Sequence, residues 1–219
     1  MQTHIDAIEI IPKATHQYTI IWMHGLGADG HDFEGIAPEL HLNVQDHIHF
    51  IFPNAPIQAV TINGGLKMRA WYDILERSLE RKVDVNGIHE SARLISTLID
   101  QEIKKGIPAE HILLAGFSQG GVIALHAGLN FTQNLAGIVA LSTYFPTINE
   151  LDTSPKSTPI FMAHGILDSI VDIESGKAVF NSLHTSNHQI EWHDYLMEHS
   201  VCADEIKDIA EFINNVFKD

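Results

Sequence analysis

The chain alternates short apolar runs, rich in β-branched and aromatic residues, with longer segments of helical periodicity. Most of the short runs are continuously apolar, as expected for strands that helices cover on both faces of a parallel sheet. The predicted strands are Ile5–Ile11, Tyr18–Met23, Ile48–Phe52, Ile112–Ala115, Gly137–Leu141, Pro159–Ala163 and Gln189–Leu196.

Helical periodicity is clearest from Ile88 to Lys105, with Asn86 as the expected N-cap and Gly106 at the end. The other predicted helices are Phe33–Leu40, Gln119–Leu129, Glu174–Leu183 and Cys202–Phe217. Repeated strand–helix units predict an α/β fold with a mostly parallel central sheet covered by helices on both faces.

The segment Pro53–Val85 is the least regular, and we interpret it as a long excursion from the sheet. No internal repeat or linker divides the chain, so residues 1–219 are predicted to form a single domain. A length of 219 residues with 45% hydrophobic side chains is sufficient for one core of this class.

Charge and composition argue against several classes of protein, namely nucleic-acid-binding, secreted and membrane-spanning proteins. The formal net charge of −15 argues against a nucleic-acid partner, because such binders need clustered Lys and Arg. The N-terminal segment lacks the features of a signal peptide, and the lone Cys202 cannot form an internal disulfide. No apolar run approaches the roughly 18 residues that span a bilayer. We therefore expect a soluble, cytoplasmic protein.

The most informative segment joins a strand to an apolar helix through Gly116-Phe117-Ser118-Gln119-Gly120. In a G-x-S-x-G turn the serine takes a strained backbone conformation that exposes its hydroxyl, and the two flanking positions must be small. This pattern predicts Ser118 as the nucleophile of a hydrolase that cuts ester or thioester bonds. The alternative is a tight structural turn in which Ser118 only caps the helix.

A serine nucleophile needs a base that a carboxylate orients, and in this type of fold the order is Ser, Asp, His, each after a strand. Asp168 follows a buried-type strand, with Asp172 as the fallback. His199 follows the last strand directly and is the predicted base. Among the competing histidines, His184 and His188 are expected to be solvent-exposed, and His193 falls within the strand.

Two backbone N–H groups are expected to form the oxyanion hole. One belongs to Gln119, the residue after the nucleophile, and the other to Leu26 in the glycine-rich turn after an early strand. Apolar residues of the irregular segment are candidates for contact with an acyl chain. These are Ile62, Leu66, Met68 and Trp71, of which Trp71 suits a structural role equally well.

The histidine count raises the question of a metal, but H-E-x-x-H and paired C-x-x-C patterns are absent from the sequence. The close pairs His47/His49 and His184/His188 lack an evident third ligand. We expect neither a catalytic metal nor a cofactor.

Several motifs occur in order along nearly the whole chain and together resemble those of the carboxylesterase and acyl-protein thioesterase family, also called phospholipase/carboxylesterases. They are His24–Gly30, Met68–Asp73, Gly116–Gly121, His164-Gly165 with Asp168, and His199-Ser200-Val201. The resemblance implies an α/β-hydrolase fold without a large lid domain, a Ser118, Asp168 and His199 triad, and an oxyanion hole at Leu26 and Gln119. It also implies acyl ester or thioester substrates, namely short-chain esters, lysophospholipids or S-acylated proteins.

The sequence leaves open the partner of the apolar loops, the role of Glu198 and whether the protein is catalytic. An acylated protein, a lipid surface and a second copy of the chain are all candidate partners for the apolar loops. Glu198 replaces the glycine that often precedes the family's histidine, and a carboxylate directed at His199 would raise the pKa of the imidazole. We expect Cys202 to be buried and unreactive. The competing class of protein is a non-catalytic binding protein with the α/β-hydrolase fold.

Overall fold

A seven-stranded sheet forms the centre of the computed structural model, which describes residues 5–76, 82–151 and 157–217. Within these ranges the strands are β1 (Ala7–Ile10), β2 (Tyr18–Met23), β3 (Ile48–Pro53), β4 (Ile57–Val60), β5 (Leu66–Arg69), β6 (Ile112–Phe117), β7 (Gly137–Leu141), β8 (Ile160–Gly165) and β9 (Ile190–Tyr195). Strands β4 and β5 form a separate antiparallel hairpin.

The order of the strands in the main sheet is β1-β3-β2-β6-β7-β8-β9. Only β1 is antiparallel to its neighbour, and the other pairs are parallel, which confirms the predicted sheet. The carboxyl ends of parallel strands lie at one edge of a sheet, so the loops that follow β2, β6, β8 and β9 gather there. We call this the C-terminal edge.

Helices cover both faces, as the strand–helix alternation predicts. They are α1 (His31–Glu34), α2 (Ile36–Glu39), α3 (Val85–Lys104), α4 (Gln119–Asn130), α5 (Ile173–Thr185) and α6 (Ala203–Val216). Apolar side chains of α3, α4 and α5 are buried in a cluster with one face of the sheet. Those of α1, α2 and α6 belong to a second cluster on the other face.

The structure corrects three local predictions. The helix expected over Phe33–Leu40 is two short helices, because Pro38 has no N–H for the bond that would join them. Asp84, not Asn86, caps α3, since its carboxylate accepts the N–H of Gly87 at 3.0 Å. The segment Pro53–Val85 contains the β4–β5 hairpin, whose strands are too short and exposed for periodicity to reveal.

None of the described helices combines the length and the apolar character that a membrane span requires.

Candidate active site

The turn between β6 and α4 holds Ser118 in a backbone conformation that is rare for a residue with a side chain. Its φ is 53° and its ψ is −118°. A Cβ on Gly116 would overlap the carbonyl of Gly120, and a Cβ on Gly120 would overlap that of Met23. Strain of this kind costs about 1–3 kcal/mol and persists where the surroundings enforce it, commonly at functional sites. The predicted requirement for small residues on both sides of the serine is therefore present.

Backbone and side-chain contacts fix this turn from the neighbouring strand. The N–H of Ser118 donates to the carbonyl of Leu141 at the end of β7 (2.8 Å), and the hydroxyl of Thr143 donates to the Ser118 carbonyl (2.7 Å). A Cβ on Gly121 would lie 2.7 Å from Cβ of Thr143. The segment after β7 thus packs directly against the start of α4, a support that the sequence did not reveal.

Asp168 and His199 meet at the same edge of the sheet. Asp168 lies after β8 and His199 after β9, and their Oδ2 and Nδ1 atoms are 2.7 Å apart. The side chain of Asp168 is fully buried, and its other oxygen accepts the N–H groups of Ile170 and Val171 at 2.9 Å each. The imidazole is 17% exposed. A buried carboxylate on Nδ1 fixes the ring and leaves Nε2 as the nitrogen available for proton transfer.

Phe117 links this pair to the serine turn. Its ring centroid lies 4.7 Å from that of His199, and Phe117 directly precedes Ser118. On the other side of the turn, an added Cβ on Gly25 would be 3.6 Å from Cβ of Ser118. The loops after β2, β6, β8 and β9 therefore surround one small volume at the C-terminal edge.

The alternative acid and histidines have other positions. Asp172 caps α5 by accepting the N–H of Glu174 at 3.1 Å. His184 is exposed as expected, and the ring of His193 stacks on Phe161 at 4.7 Å. The prediction for His188 is wrong: only 8% of it is exposed, because the turn after α5 folds it inward through an N–H bond to the carbonyl of Leu183.

His164 packs against the Asp168 carboxylate on the side that faces the protein interior. It is fully buried, its Nε2 lies 2.9 Å from the carbonyl of Val171 and 3.4 Å from Oδ2 of Asp168, and burial lowers its pKa. A neutral ring wedged between the carboxylate and α5 keeps the Asp168 loop in one conformation. This role agrees with the structural assignment that the sequence position favours.

The two N–H groups predicted for the oxyanion hole are both unengaged. Within the described ranges, neither the Leu26 nor the Gln119 N–H donates to a protein acceptor. The loop that carries Leu26 is held by a bond from the N–H of Gly27, with φ of 79°, to the carbonyl of Arg69 in the hairpin (2.8 Å). Gln119 is the first residue of α4, where N–H groups lack partners within the helix.

The side chain of Gln119 has a separate role that the sequence gave no signal for. It is 2% exposed, accepts the N–H of Trp71 at 2.8 Å and donates to the carbonyl of Tyr72 at 2.7 Å. Trp71 is 1% exposed, and its indole N–H donates to the carbonyl of His24 at 2.9 Å. Trp71 therefore lies beneath the Leu26 loop and supports it, and does not have a surface open to an acyl chain.

The other apolar candidates lie on or beside the hairpin. Ile62 is 37% exposed and Leu66 is 64% exposed, whereas Met68 is partly buried. The Met68 sulfur would be 3.8 Å from a Cβ on Gly27, so this strand borders the Leu26 loop. Further exposed apolar side chains occur on the hairpin and on the loops after β8 and β9, which sequence periodicity did not single out: Ile57, Ile166, Leu167, Ile170 and Leu196.

Two expectations about the loop between β9 and α6 need correction. Glu198 is exposed and, among the described residues, forms no ion pair with His199. Its backbone, not its side chain, faces the site: the carbonyl accepts the N–H of Ser200 at 2.9 Å and closely approaches Gly165. Cys202 is only partly buried, because it stands at the N-cap of α6 and not inside it.

The family model described as Phospholipase/Carboxylesterase matches residues 5–217. The chain belongs to the phospholipase/carboxylesterase family. It is therefore a hydrolase of ester or thioester bonds with the α/β-hydrolase fold.

Individual members of the phospholipase/carboxylesterase family are similar over nearly the full length of the chain. Acyl-protein thioesterase 1 of Yarrowia lipolytica is 36% identical over 97% of this chain and 98% of its own. The corresponding protein of Neurospora crassa is 38% identical over 91% of this chain and 87% of its own.

Solved structures of similar proteins share this fold. Arabidopsis thaliana SOBER1 superposes with a TM-score of 0.86 at 31% identity over 92% of this chain and 100% of its own. Zea mays acyl-protein thioesterase 2 superposes with a TM-score of 0.85 at 26% identity over 97% and 99%.

Proposed function

We propose that Ser118, His199 and Asp168 form the catalytic triad of this hydrolase and that Ser118 carries the acyl group. The observation that carries the proposal is the 2.7 Å contact between a buried Asp168 carboxylate and His199, beside a serine in a strained turn. A helix cap would not need that strain or that pair, so the geometry favours catalysis over the structural alternative.

The proposed reaction proceeds through two acyl transfers. The Ser118 hydroxyl attacks the acyl carbonyl while Nε2 of His199 takes its proton, and the imidazolium then protonates the departing alcohol or thiol. Water repeats the sequence in reverse, giving its proton to His199 and releasing the acid and free Ser118. Asp168 orients the ring and stabilises its positive charge in both steps.

The N–H groups of Leu26 and Gln119 are proposed to bind the oxyanion that forms in each step. Their lack of protein acceptors supports this role, because an unengaged donor requires no rearrangement when charge develops. The bond from the Gly27 N–H to Arg69, and the bonds that the Gln119 amide accepts from Trp71 and donates to Tyr72, hold both donors in place.

For the substrate, we propose a thioester of an S-acylated protein. The acyl-protein thioesterases that this chain resembles support the class, and the exposed apolar hairpin beside the Leu26 loop suits an acyl chain. A cytoplasmic location fits this substrate, and the lone Cys202 is compatible with a reducing compartment. A lipid surface and a homodimer are the alternative uses of the same apolar side chains.

A chain-length series tests the substrate proposal, with an S-palmitoyl peptide beside p-nitrophenyl esters of increasing length. Leu66→Ser should lower kcat/KM for the long acyl group about fivefold, since losing half the burial of one leucine costs about 1 kcal/mol. The shortest ester should be unaffected.

Ile11→Ser is the matched control for this series. Ile11 is 65% exposed, like Leu66, but it follows β1, whose antiparallel pairing brings its end to the opposite edge of the sheet. No turnover of the S-acyl peptide by the wild type, or equal effects of the two substitutions, would refute the proposed substrate.

A further inference from the structure

A polar cluster lies at the edge of the sheet opposite Ser118, where β2 and β3 begin and α3 ends. It consists of His16, His49 and Glu102, and we call it the His16 cluster. One potential ligand atom from each residue lies within 4.8 Å of the other two. His49 is 4% exposed and Glu102 is 1% exposed, so two of the three side chains are part of the interior.

Two of the three distances within the His16 cluster, both from Glu102, fit a shared ion. Oε2 of Glu102 is 3.5 Å from Nε2 of His16 and 3.4 Å from Nδ1 of His49. These separations exceed the usual 2.7–3.2 Å of an N–H···O hydrogen bond, although the His49–Glu102 contact still has hydrogen-bond geometry. Two ligand atoms bound to one tetrahedral zinc lie about 3.3 Å apart, because each is about 2.0–2.1 Å from the metal at a tetrahedral angle.

The hydrogen bonds around the His16 cluster direct the unshared electron pairs of its ligand atoms toward one another, as at a metal site. Nε2 of His49 lies 2.8 Å from Oε2 of Glu9, so a proton on Nε2 leaves the Nδ1 lone pair facing Glu102. A histidine held by a carboxylate on its far nitrogen is the common arrangement at zinc sites. Lys105 donates to Oε1 of Glu102 at 2.6 Å, which leaves Oε2 as the oxygen turned toward both imidazoles.

The same arrangement is unfavourable without a cation. A neutral imidazole has one N–H, so with Nε2 bound to Glu9 the His49 Nδ1 lone pair would point at a carboxylate oxygen. The hydroxyl of Thr19 supplies one proton to Oε2 of Glu102 at 3.0 Å and is also 2.9 Å from Nε2 of His16. This one hydroxyl proton does not satisfy both Oε2 of Glu102 and the Nδ1 lone pair of His49. A long hydrogen bond between Nδ1 of His49 and Glu102 is the metal-free alternative.

We propose that Nε2 of His16, Nδ1 of His49 and Oε2 of Glu102 bind one Zn²⁺, with water as the fourth ligand. The Lys105 ammonium lowers the affinity and Glu9 partly offsets it. The ion joins the segment before β2, the start of β3 and the end of α3. It lies away from the serine edge, so its role is to stabilise the fold.

The test uses untagged protein that has been stripped with a chelator, then dialysed against Zn²⁺ and analysed for bound metal. One Zn²⁺ per chain is expected. At a free Zn²⁺ concentration 100 times Kd, Tm should rise by roughly 5–10 °C. Ester hydrolysis by Ser118 should be unchanged.

Three variants locate the ion. His16→Gln should abolish stoichiometric binding. Glu9→Gln, at a half-exposed side chain, should weaken Kd about 10- to 100-fold by releasing the His49 ring. His126→Gln is the matched control, because His126 belongs to a second group of potential ligands with His89 and Glu150, and it should bind as the wild type does.

Each other outcome overturns the proposal. Absence of stoichiometric Zn²⁺ in the wild type indicates a hydrogen-bonded cluster that holds no metal. Binding that is lost in His126→Gln assigns the ion to the second group. If His16→Gln does not fold, Glu9→Gln decides alone, and a Kd equal to that of the wild type refutes the site.

Discussion

Glu205 is predicted to make the protein less stable as the pH rises through neutrality. It lies in the first turn of α6 and is 0% exposed. Burial raises its pKa to about 8, with Asp208 adding to the shift and the backbone of Cys202 opposing it in part. Within the described chain, neither carboxylate oxygen makes a well-formed hydrogen bond. The folded protein therefore keeps this carboxyl protonated at pH 7.

The magnitude follows from the two pKa values. The unfolded chain ionises Glu205 near 4.5 and the folded chain near 8, so between these values the folded state binds one more proton. The contribution of Glu205 to stability is then largest below pH 4.5 and falls by about 1.4 kcal/mol for each unit of pH up to about 8. From pH 5.5 to pH 7.5 the wild type should lose roughly 2–3 kcal/mol through this group.

Urea unfolding of the wild type and Glu205→Gln at both pH values isolates the effect. The glutamine variant cannot ionise, so its free energy of unfolding should fall by roughly 2–3 kcal/mol less than that of the wild type over this interval. Glu211→Gln, on the exposed side of the same helix, should follow the wild type. Parallel pH profiles for the wild type and Glu205→Gln would show that the buried carboxyl is not protonated in the folded state.

Two further predictions concern the site. Asp168→Asn keeps an oxygen for the neighbouring N–H groups but loses the acceptor for His199. The kcat for ester hydrolysis should therefore fall about 10³- to 10⁴-fold at unchanged Tm. A loss in kcat below tenfold would contradict the pairing of Asp168 with His199. Gln119→Ala leaves buried N–H and carbonyl groups of the Trp71 segment without partners and should lower the free energy of unfolding by about 1–3 kcal/mol, measured in urea. An unchanged value would mean that water replaces the amide.

The fold was predictable because the five inner strands of the main sheet are buried, mostly apolar runs, whereas β1 and β9 at its two edges are partly exposed. Tyr18–Met23 and Gly137–Leu141 have the predicted bounds, and the other main-sheet strands differ by a few residues at their ends. Chain order alone also selected the contacting Asp168 and His199, since each follows a strand that ends at the same edge. Local pattern and topology sufficed for these features.

Other features depend on contacts between distant segments, which leave no periodic signal. The amide of Gln119 holds a segment 47 to 48 positions earlier in the chain, and Thr143 holds the carbonyl of the serine turn. The β4–β5 hairpin was missed because its exposed strands lack an apolar run. The burial of His188 depends on a turn whose direction the sequence does not specify.

Covalent labelling tests the central proposal most directly. The wild type, Ser118→Ala and Ser182→Ala, the last at an exposed serine of α5, are treated with a fluorophosphonate, and their intact masses are measured. The account predicts one phosphonyl adduct on the wild type and on Ser182→Ala, at Ser118, and none on Ser118→Ala. An unlabelled wild type, or a Ser118→Ala variant that is still labelled, would contradict Ser118 as the nucleophile.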